Sequence, residues 1–183
     1  MHNYIKKILY TTDLSSNSAH AFRYALKLAV DNQASMVVLH VIEDSSIYNA
    51  VIMGGILTDE KLEQIIAERN AKALERVENR IGTVSHVEFG EHSEKAREYV
   101  SSVEICQGFP VELILSKADE FECDVIVMGT HGKGKISQTF LGGTAKRVLR
   151  RTRIPVFIIP LPEDAMDVTV KDQDWITPGV HRN

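Results

Sequence analysis

The stretch that decides the fold runs from Val125 to Thr144 and reads VIVMGTHGKGKISQTFLGGT. Its first four residues are apolar and predict a buried strand that breaks at Gly129. A polar, glycine-rich loop follows, and a second glycine pair, which begins at Gly142, opens a short helix over residues 144–151. A strand, a glycine-rich loop and a helix N-terminus in this order are the outline of a phosphate site, because free N–H groups and the helix dipole attract an anion there.

Two common phosphate motifs do not fit this loop. A Walker A motif requires Ser or Thr directly after its lysine, and here Ile136 follows Lys135. A dinucleotide fingerprint has its glycines directly after the first strand, whereas this loop follows a late strand and has another spacing. The pattern that remains is Gly129-x2-Gly132-x9-Gly142.

Length and composition describe an ordinary globular domain. The chain has 183 residues, 44% hydrophobic residues, 25% charged residues and a net charge of −4. This charge argues against a nucleic-acid surface over the whole protein. We find no apolar run long enough for a membrane span and no signal peptide, and the two cysteines form no metal motif, so we expect a cytoplasmic protein with no nucleic-acid or membrane partner.

Apolar runs alternate with helical patterns along the chain, which predicts an α/β fold with a parallel open sheet, helices on both faces and right-handed crossovers. The expected strands cover residues 5–12, 36–42, 100–106, 124–129 and 154–160, and a long charged helix is expected from Asp59 to about Arg80. Residues 81–98, which Gly82 and Gly90 interrupt, are ambiguous and we interpret them as an insertion. We therefore expect one domain over residues 1–160, followed by a polar C-terminal extension over residues 161–183.

Several of these segments resemble the universal stress protein family, and more narrowly its ATP-binding branch. The resemblance rests on the three spaced glycines, on the ending IPVFIIP at residues 154–160, and on residues 7–15 and 39–42. It covers roughly residues 4–43 and 99–160. The family usually has Ser or Thr after the third glycine, whereas this chain has Gly143 there and Thr144 one residue later.

The resemblance implies a five-stranded, Rossmann-like sheet of order 3-2-1-4-5, as in adenine nucleotide alpha hydrolases, with a site between the first and fourth strands. By resemblance, Asp13 lies near ribose hydroxyls or a metal, and the backbone of Val41 bonds adenine. The ligand would be ATP, or AMP or ADP, with Mg²⁺ held mainly by the phosphates. The residues that the resemblance assigns to this site are Thr11, Thr12, Asp13, Val41, Met128, Gly129, Thr130, His131, Gly132, Gly142, Gly143 and Thr144.

Each assignment has a structural alternative. Asp13 has the residue type of a helix cap or loop acid, and the glycines are also typical of turns without a ligand. Val41 and Met128 suit a buried strand in either case. His40, in an apolar strand, is expected to be a satisfied core histidine, and His131 a loop residue.

Three functions are compatible with the sequence. The first is a dimeric, ATP-binding stress-response module with at most slow hydrolysis, because no general base is evident near the loop. The second is a nucleotide hydrolase or nucleotidyl-transferring enzyme. The third is a stress protein that acts through protein partners without nucleotide, which the glycine at position 143 favours and the retention of all three spaced glycines opposes. In the family the strand at 154–160 mediates dimers, so the resemblance implies a homodimer.

Overall fold

The computed structural model describes residues 4–43, 59–130 and 141–160. Five parallel strands form one sheet in the order β3-β2-β1-β4-β5, as the sequence predicts. The strands are β1 (Lys7–Thr12), β2 (Ser35–Glu43), β3 (Val100–Gly108), β4 (Val125–Gly129) and β5 (Val156–Ile159). The chain adds β2 and β3 on one side of β1 and then adds β4 and β5 on the other side. The boundary between β1 and β4 is therefore the point where the strand order switches.

The helices connect the strands and cover both faces of the sheet. They are α1 (Ser16–Asn32), α2 (Asp59–Phe89), α3 (Ser93–Arg97), α4 (Pro110–Glu120) and α5 (Gly143–Arg151), with a single 3-10 turn at Gly90–His92 between α2 and α3. None of the helices in the described segments is long and apolar enough to cross a membrane.

Alternation along the strands divides the core into two layers, because successive side chains of a strand point to opposite faces. Ile8 and Tyr10 pack with Phe22 of α1 and with α2 and α3, whereas Leu9 packs with α4 and α5 on the other face. The rings of Tyr10 and Phe22 lie 5.1 Å apart and are both almost fully buried. The near-continuous apolar composition of β1, β2 and β4 follows from this burial on two faces.

The long second helix is the main difference from the predicted elements. α2 continues nine residues beyond the expected end at Arg80, to Phe89, and Gly82 lies inside it. Ile81 and Val84 are buried against the first layer of the core, and this packing stabilises the helix through a glycine that lowers its intrinsic propensity. Residues 81–98 are therefore helical for most of their length. That they are an insertion relative to the family remains a prediction.

The strand ends also differ slightly from the predicted bounds. β1 begins at Lys7 rather than residue 5, β3 extends two residues further to Gly108, and β5 is confined to Val156–Ile159. Pro155 and Pro160 flank β5, and since proline has no N–H to donate to a ladder, it is found at strand ends and edges. The C-terminal extension at 161–183 lies outside the described residues.

Candidate functional site at the switch point

The carboxyl ends of β1 and β4 lie side by side. Tyr10 is opposite Val127 in the parallel register, so the chain leaves the sheet at Thr12 and Gly129 from neighbouring strands. The two segments are more than a hundred residues apart in sequence. The structure thus brings together the two parts of the predicted site, at the place where open α/β sheets bind ligands.

Three of the predicted residues share the face of the sheet that α4 and α5 cover. Met128 is buried in that layer of the core, and Val41 is half-buried against it. Thr11 lies two residues after Leu9, which belongs to the same layer, and is itself 7% exposed. The expectation that Val41 and Met128 contribute to the core is confirmed.

Asp13 forms the turn that leads into α1. Its Oδ1 accepts hydrogen bonds from the backbone N–H of Ser15 at 3.0 Å and from the Ser15 hydroxyl at 2.6 Å. Ser15 in turn caps α1, because its Oγ accepts from the N–H of Ser18 at 3.2 Å. This is an Asx turn followed by an N-cap. The Oδ1 atom of Asp13 therefore has the structural role of a loop acid, as the alternative to a ligand contact predicts. Asp13 remains partly exposed at the sheet edge.

A histidine holds the end of β1 from the neighbouring strand. His40 is 5% exposed, and its Nδ1 lies 2.7 Å from the carbonyl oxygen of Thr12. A carbonyl oxygen only accepts, so Nδ1 carries the proton and donates it. The prediction that His40 is a satisfied core histidine is confirmed.

Arg80 is a site residue that the sequence does not reveal. It lies on α2, is 8% exposed, and donates hydrogen bonds to the carbonyl oxygens of Leu14 and Ser15, each at 3.1 Å. Its Nη1 also donates to the hydroxyl of Ser18 at 3.2 Å and, over 3.5 Å, to that of Thr12. In the sequence it is one more charge on a charge-rich helix, for which we expect a solvated face.

Tyr10 completes this buried polar cluster. Its hydroxyl donates to the Ser18 carbonyl oxygen at 2.5 Å. Burial raises the pKa of Tyr10 to about 12, although the neighbouring Thr12 hydroxyl and the Arg80 charge oppose that shift. The phenol is therefore a neutral donor at physiological pH.

Asn17 links α1 to the end of β4 and is also missed by sequence patterns. Its Nδ2 donates to the Thr130 hydroxyl at 3.3 Å, and both residues are buried. A Cβ atom at Gly129 would lie 3.1 Å from Asn17 Cγ and Nδ2. A side chain at position 129 would therefore have to displace this amide. The only signal in the sequence is one more polar residue in the cap-rich segment after β1.

Backbone hydrogen bonds fasten the start of α5 to the end of β4. The N–H of Gly142 donates to the Thr130 carbonyl oxygen at 2.7 Å, and the N–H of Thr130 donates to Ile159 of β5 at 3.1 Å. Gly142 is the N-cap of α5, no side chain among the described residues caps the helix, and its first turn has no acidic residue. Gly143 is exposed and Thr144 is half-buried at this terminus. His131 and Gly132 lie outside the described residues.

Metal chemistry is not evident in the described segments. Within residues 4–43, 59–130 and 141–160, no group of three or more His, Cys, Asp and Glu is arranged to hold a metal ion. Both cysteines are free thiols. Burial raises the pKa of Cys106 and raises that of Cys123 to about 11, so both are thiols at neutral pH.

An open parallel sheet with polar loops converging at its switch point defines a Rossmann-like α/β protein. Within that class, the sequence model of the universal stress protein family matches residues 5–160. The chain belongs to the universal stress protein family, as the resemblance at the glycine motif indicates.

Relatives in archaea and bacteria align over most of this chain. Universal stress protein MJ0577 of Methanocaldococcus jannaschii is 25% identical over 158 residues, which is 84% of this chain and 94% of the relative. Universal stress protein YxiE of Bacillus subtilis is 28% identical over 156 residues, covering 84% of this chain and 97% of the relative.

Solved structures share the fold. The structure of MJ0577 superposes with a TM-score of 0.67 at 23% identity, covering 87% of this chain and 98% of the other. That of UspA from Lactobacillus plantarum has a TM-score of 0.65 at 23% identity, with 85% and 97% coverage.

Proposed function

We propose that this protein binds an adenine nucleotide, ATP in the first place, at the switch point between β1 and β4. The observation that carries the proposal is the hydrogen-bonded bridge from Asn17 through Thr130 to Gly142. This bridge joins the N-terminus of α5 to the end of β4, beside the helix that follows β1. This geometry supports the proposal, because nucleotide-binding α/β proteins hold their ligands at the corresponding switch point.

The phosphates would lie at the start of α5. The helix begins at Gly142, which has no side chain of its own to cap it, so the first N–H groups and the helix dipole favour an anion. Gly129, Thr130, Gly142, Gly143 and Thr144 are the described members of this phosphate region, and His131 and Gly132 belong to it by resemblance. Mg²⁺ would be held mainly by phosphate oxygens and water.

The nucleoside would lie across the ends of β1 and β2. Thr11, Val41 and Met128 share one face there, and the backbone of Val41 would bond adenine as in the family. Asp13 would approach the ribose hydroxyls through the carboxylate oxygen that does not accept from Ser15. The hydrogen bond from His40 to the Thr12 carbonyl oxygen would help to hold the end of β1 in place beside the ligand.

The function that follows is nucleotide-dependent regulation with hydrolysis that is slow at most. Phosphoryl transfer needs a positioned base or water-orienting residue beside the phosphates. Asp13 is the one candidate carboxylate among the predicted site residues, and its Oδ1 is already engaged by two donors from Ser15. Bound nucleotide would order the loop that follows β4 and so change a surface that contacts a partner.

The partner surface would be a second copy of the chain at β5. Among the described residues β5 pairs with β4 alone, so its other edge is available for a ladder. Phe157 of this strand is 43% exposed. An unpaired apolar edge strand is a template for pairing with another chain.

The test is the nucleotide content of purified protein, measured by heat release and chromatography, together with calorimetric titration of ATP and Mg²⁺. We expect co-purified adenine nucleotide or saturable binding near one nucleotide per chain, and weaker binding of GTP. Nucleotide-free protein that gives no binding heat with ATP, ADP or AMP would contradict the proposal and favour a role through protein partners alone.

A further inference from the structure

Arg80 connects α2 to the loop that carries Asp13. The arginine lies 65 or more residues along the chain from each of the two loop carbonyls that it binds. Its two terminal nitrogens donate to four acceptors within one short segment, the Thr12 and Ser18 hydroxyls and the Leu14 and Ser15 carbonyls. This is a bridging use of the guanidinium fork, in which one planar group fixes several acceptors at once.

The loop has a conformation that requires such support. Leu14 has φ 65, in the left-handed region that a leucine seldom adopts. Its side chain is 4% exposed, and its carbonyl oxygen is one of the two that Arg80 binds. Strained residues persist where the surrounding structure holds them, and they are concentrated at ligand sites.

The bonds of Arg80 bracket Asp13 on both sides. Thr12 precedes it, and its hydroxyl accepts from the N–H of Leu14 at 3.1 Å and donates to Ser18 at 3.0 Å. Ser15 follows, and its carbonyl is held by Arg80 while its N–H binds Asp13. Fixing both flanks sets the direction of the backbone at Asp13 and hence the position of its carboxylate.

We propose that Arg80 is a positioning residue for the nucleotide site, and that α2 controls nucleotide affinity through it. This inference rests on the proposed function and deepens it. Arg80 does not touch the nucleotide. It raises the fraction of protein molecules whose loop has the binding-competent conformation, and the apparent affinity for nucleotide scales with that fraction.

The experiment compares Arg80→Met, Arg80→Lys and wild type by stopped-flow and calorimetric ATP binding, at a temperature where thermal melts show each variant folded. Lys72→Met is the matched control, because Lys72 is an exposed cation on the same helix. Amide hydrogen exchange at Leu14 and Ser15 is measured in the same proteins without nucleotide, since both N–H groups are hydrogen-bonded within the loop.

In Arg80→Met we expect affinity about tenfold weaker, with the loss in the association rate and an unchanged dissociation rate, as a smaller competent population requires. The ATP affinity of Arg80→Lys should lie between those of wild type and Arg80→Met, because an ammonium group keeps the charge but not the planar fork of donors. Lys72→Met matches wild type. Amide protection at Leu14 and Ser15 falls in parallel with affinity.

Two results would overturn the inference. Unchanged association kinetics in folded Arg80→Met, with only a lower melting temperature, would show that the arginine merely stabilises the fold. Unchanged amide protection would show that it does not hold the loop. If wild type fails to bind ATP, the proposed function fails and with it the role in binding, while the exchange data alone decide whether Arg80 orders the loop.

Discussion

Asn17 of α1 and Gly129 of β4 are in contact at the centre of the sheet's carboxyl edge. A Cβ atom added at position 129 would lie 3.1 Å from the amide of Asn17. The Nδ2 of this amide donates a hydrogen bond to the Thr130 hydroxyl. Asn17 is only 5% exposed, so its amide has little room to move away. A methyl group added at position 129 would therefore displace a residue of α1 and disturb the hydrogen bond that connects the two halves of the proposed site.

Gly129→Ala should lower both stability and nucleotide affinity. The added carbon displaces the Asn17 amide, and overpacking a buried site typically costs about 1–3 kcal/mol. Chemical denaturation measures the first effect and ATP titration the second. Gly143→Ala is the control for the denaturation measurement alone, because among the described residues its Cβ would meet only the end of Arg147, at 3.6 Å, and the change should leave stability equal or higher. Equal stability of Gly129→Ala and wild type would contradict the packing argument.

Asp13→Asn separates the turn-forming role of Asp13 from a role in ligand binding. The asparagine side-chain oxygen can still accept from Ser15, so we expect stability within about 0.5 kcal/mol of wild type. The carboxylate charge is lost, and ATP–Mg²⁺ affinity should fall. Asp13→Ala should lose the turn as well, at about 1 kcal/mol. Denaturation curves and ATP titration of both variants provide the comparison, and full affinity in Asp13→Asn would remove Asp13 from the site.

Gly82→Ala should stabilise the protein. The position is inside α2, and apart from the adjacent residues and the helix's own backbone no atom of the described residues lies within 4 Å of the added carbon. Alanine in place of a helical glycine gains about 0.5–1 kcal/mol, or about 1–4 °C in Tm for a chain of this size. Gly90→Ala is the matched control, since its surroundings are equally open but its φ is +52, and it should lower Tm. A lower Tm for Gly82→Ala would contradict the continuous helix.

Stability should decrease at alkaline pH because two buried groups hold their protons more tightly when folded. Burial raises the pKa of Cys123 from 9.0 to about 11 and that of Tyr10 from 10.0 to about 12. Their contribution is complete below pH 9 and is lost as pH rises towards 11 and 12. Urea midpoints from pH 8 to 11 measure the loss.

Variants identify the groups responsible for that pH dependence. Cys123→Ala and Tyr10→Phe should each have a flatter profile than wild type, even where their stability at pH 8 is lower. Tyr4→Phe is the control, because Tyr4 is 87% exposed and its replacement should leave the slope unchanged. Equal slopes in all four proteins would show that other groups cause the loss.

Phe157→Glu should dissociate a homodimer that forms through β5. The ring is 43% exposed on an edge strand, and a charge there opposes pairing of the strand with another chain. Sedimentation velocity over a range of concentrations measures the outcome. Phe109→Glu is the control, since Phe109 is 71% exposed but lies beyond the end of β3, at the opposite edge of the sheet. A monomeric wild type would exclude the interface.

Local patterns predict the elements of this protein well where periodicity and burial agree. The apolar runs of β1, β2 and β4 and the break at Gly129 are readable because a buried parallel strand needs continuous apolar residues. The end of α2 is not readable, since Gly82 lowers helix propensity and only the packing of Ile81 and Val84 compensates for it. Tertiary contacts overrode a local signal there.

The sequence by itself determined that two polar segments follow two buried strands, with a glycine-rich loop and a helix start after the second. Only the tertiary structure revealed that Arg80 holds the first segment and that Asn17 joins it to the second. The physical reason is distance along the chain. Local periodicity reports on neighbours within a few residues, whereas these hydrogen bonds join groups separated by 62 to 113 residues and exist only once the helices pack on the sheet.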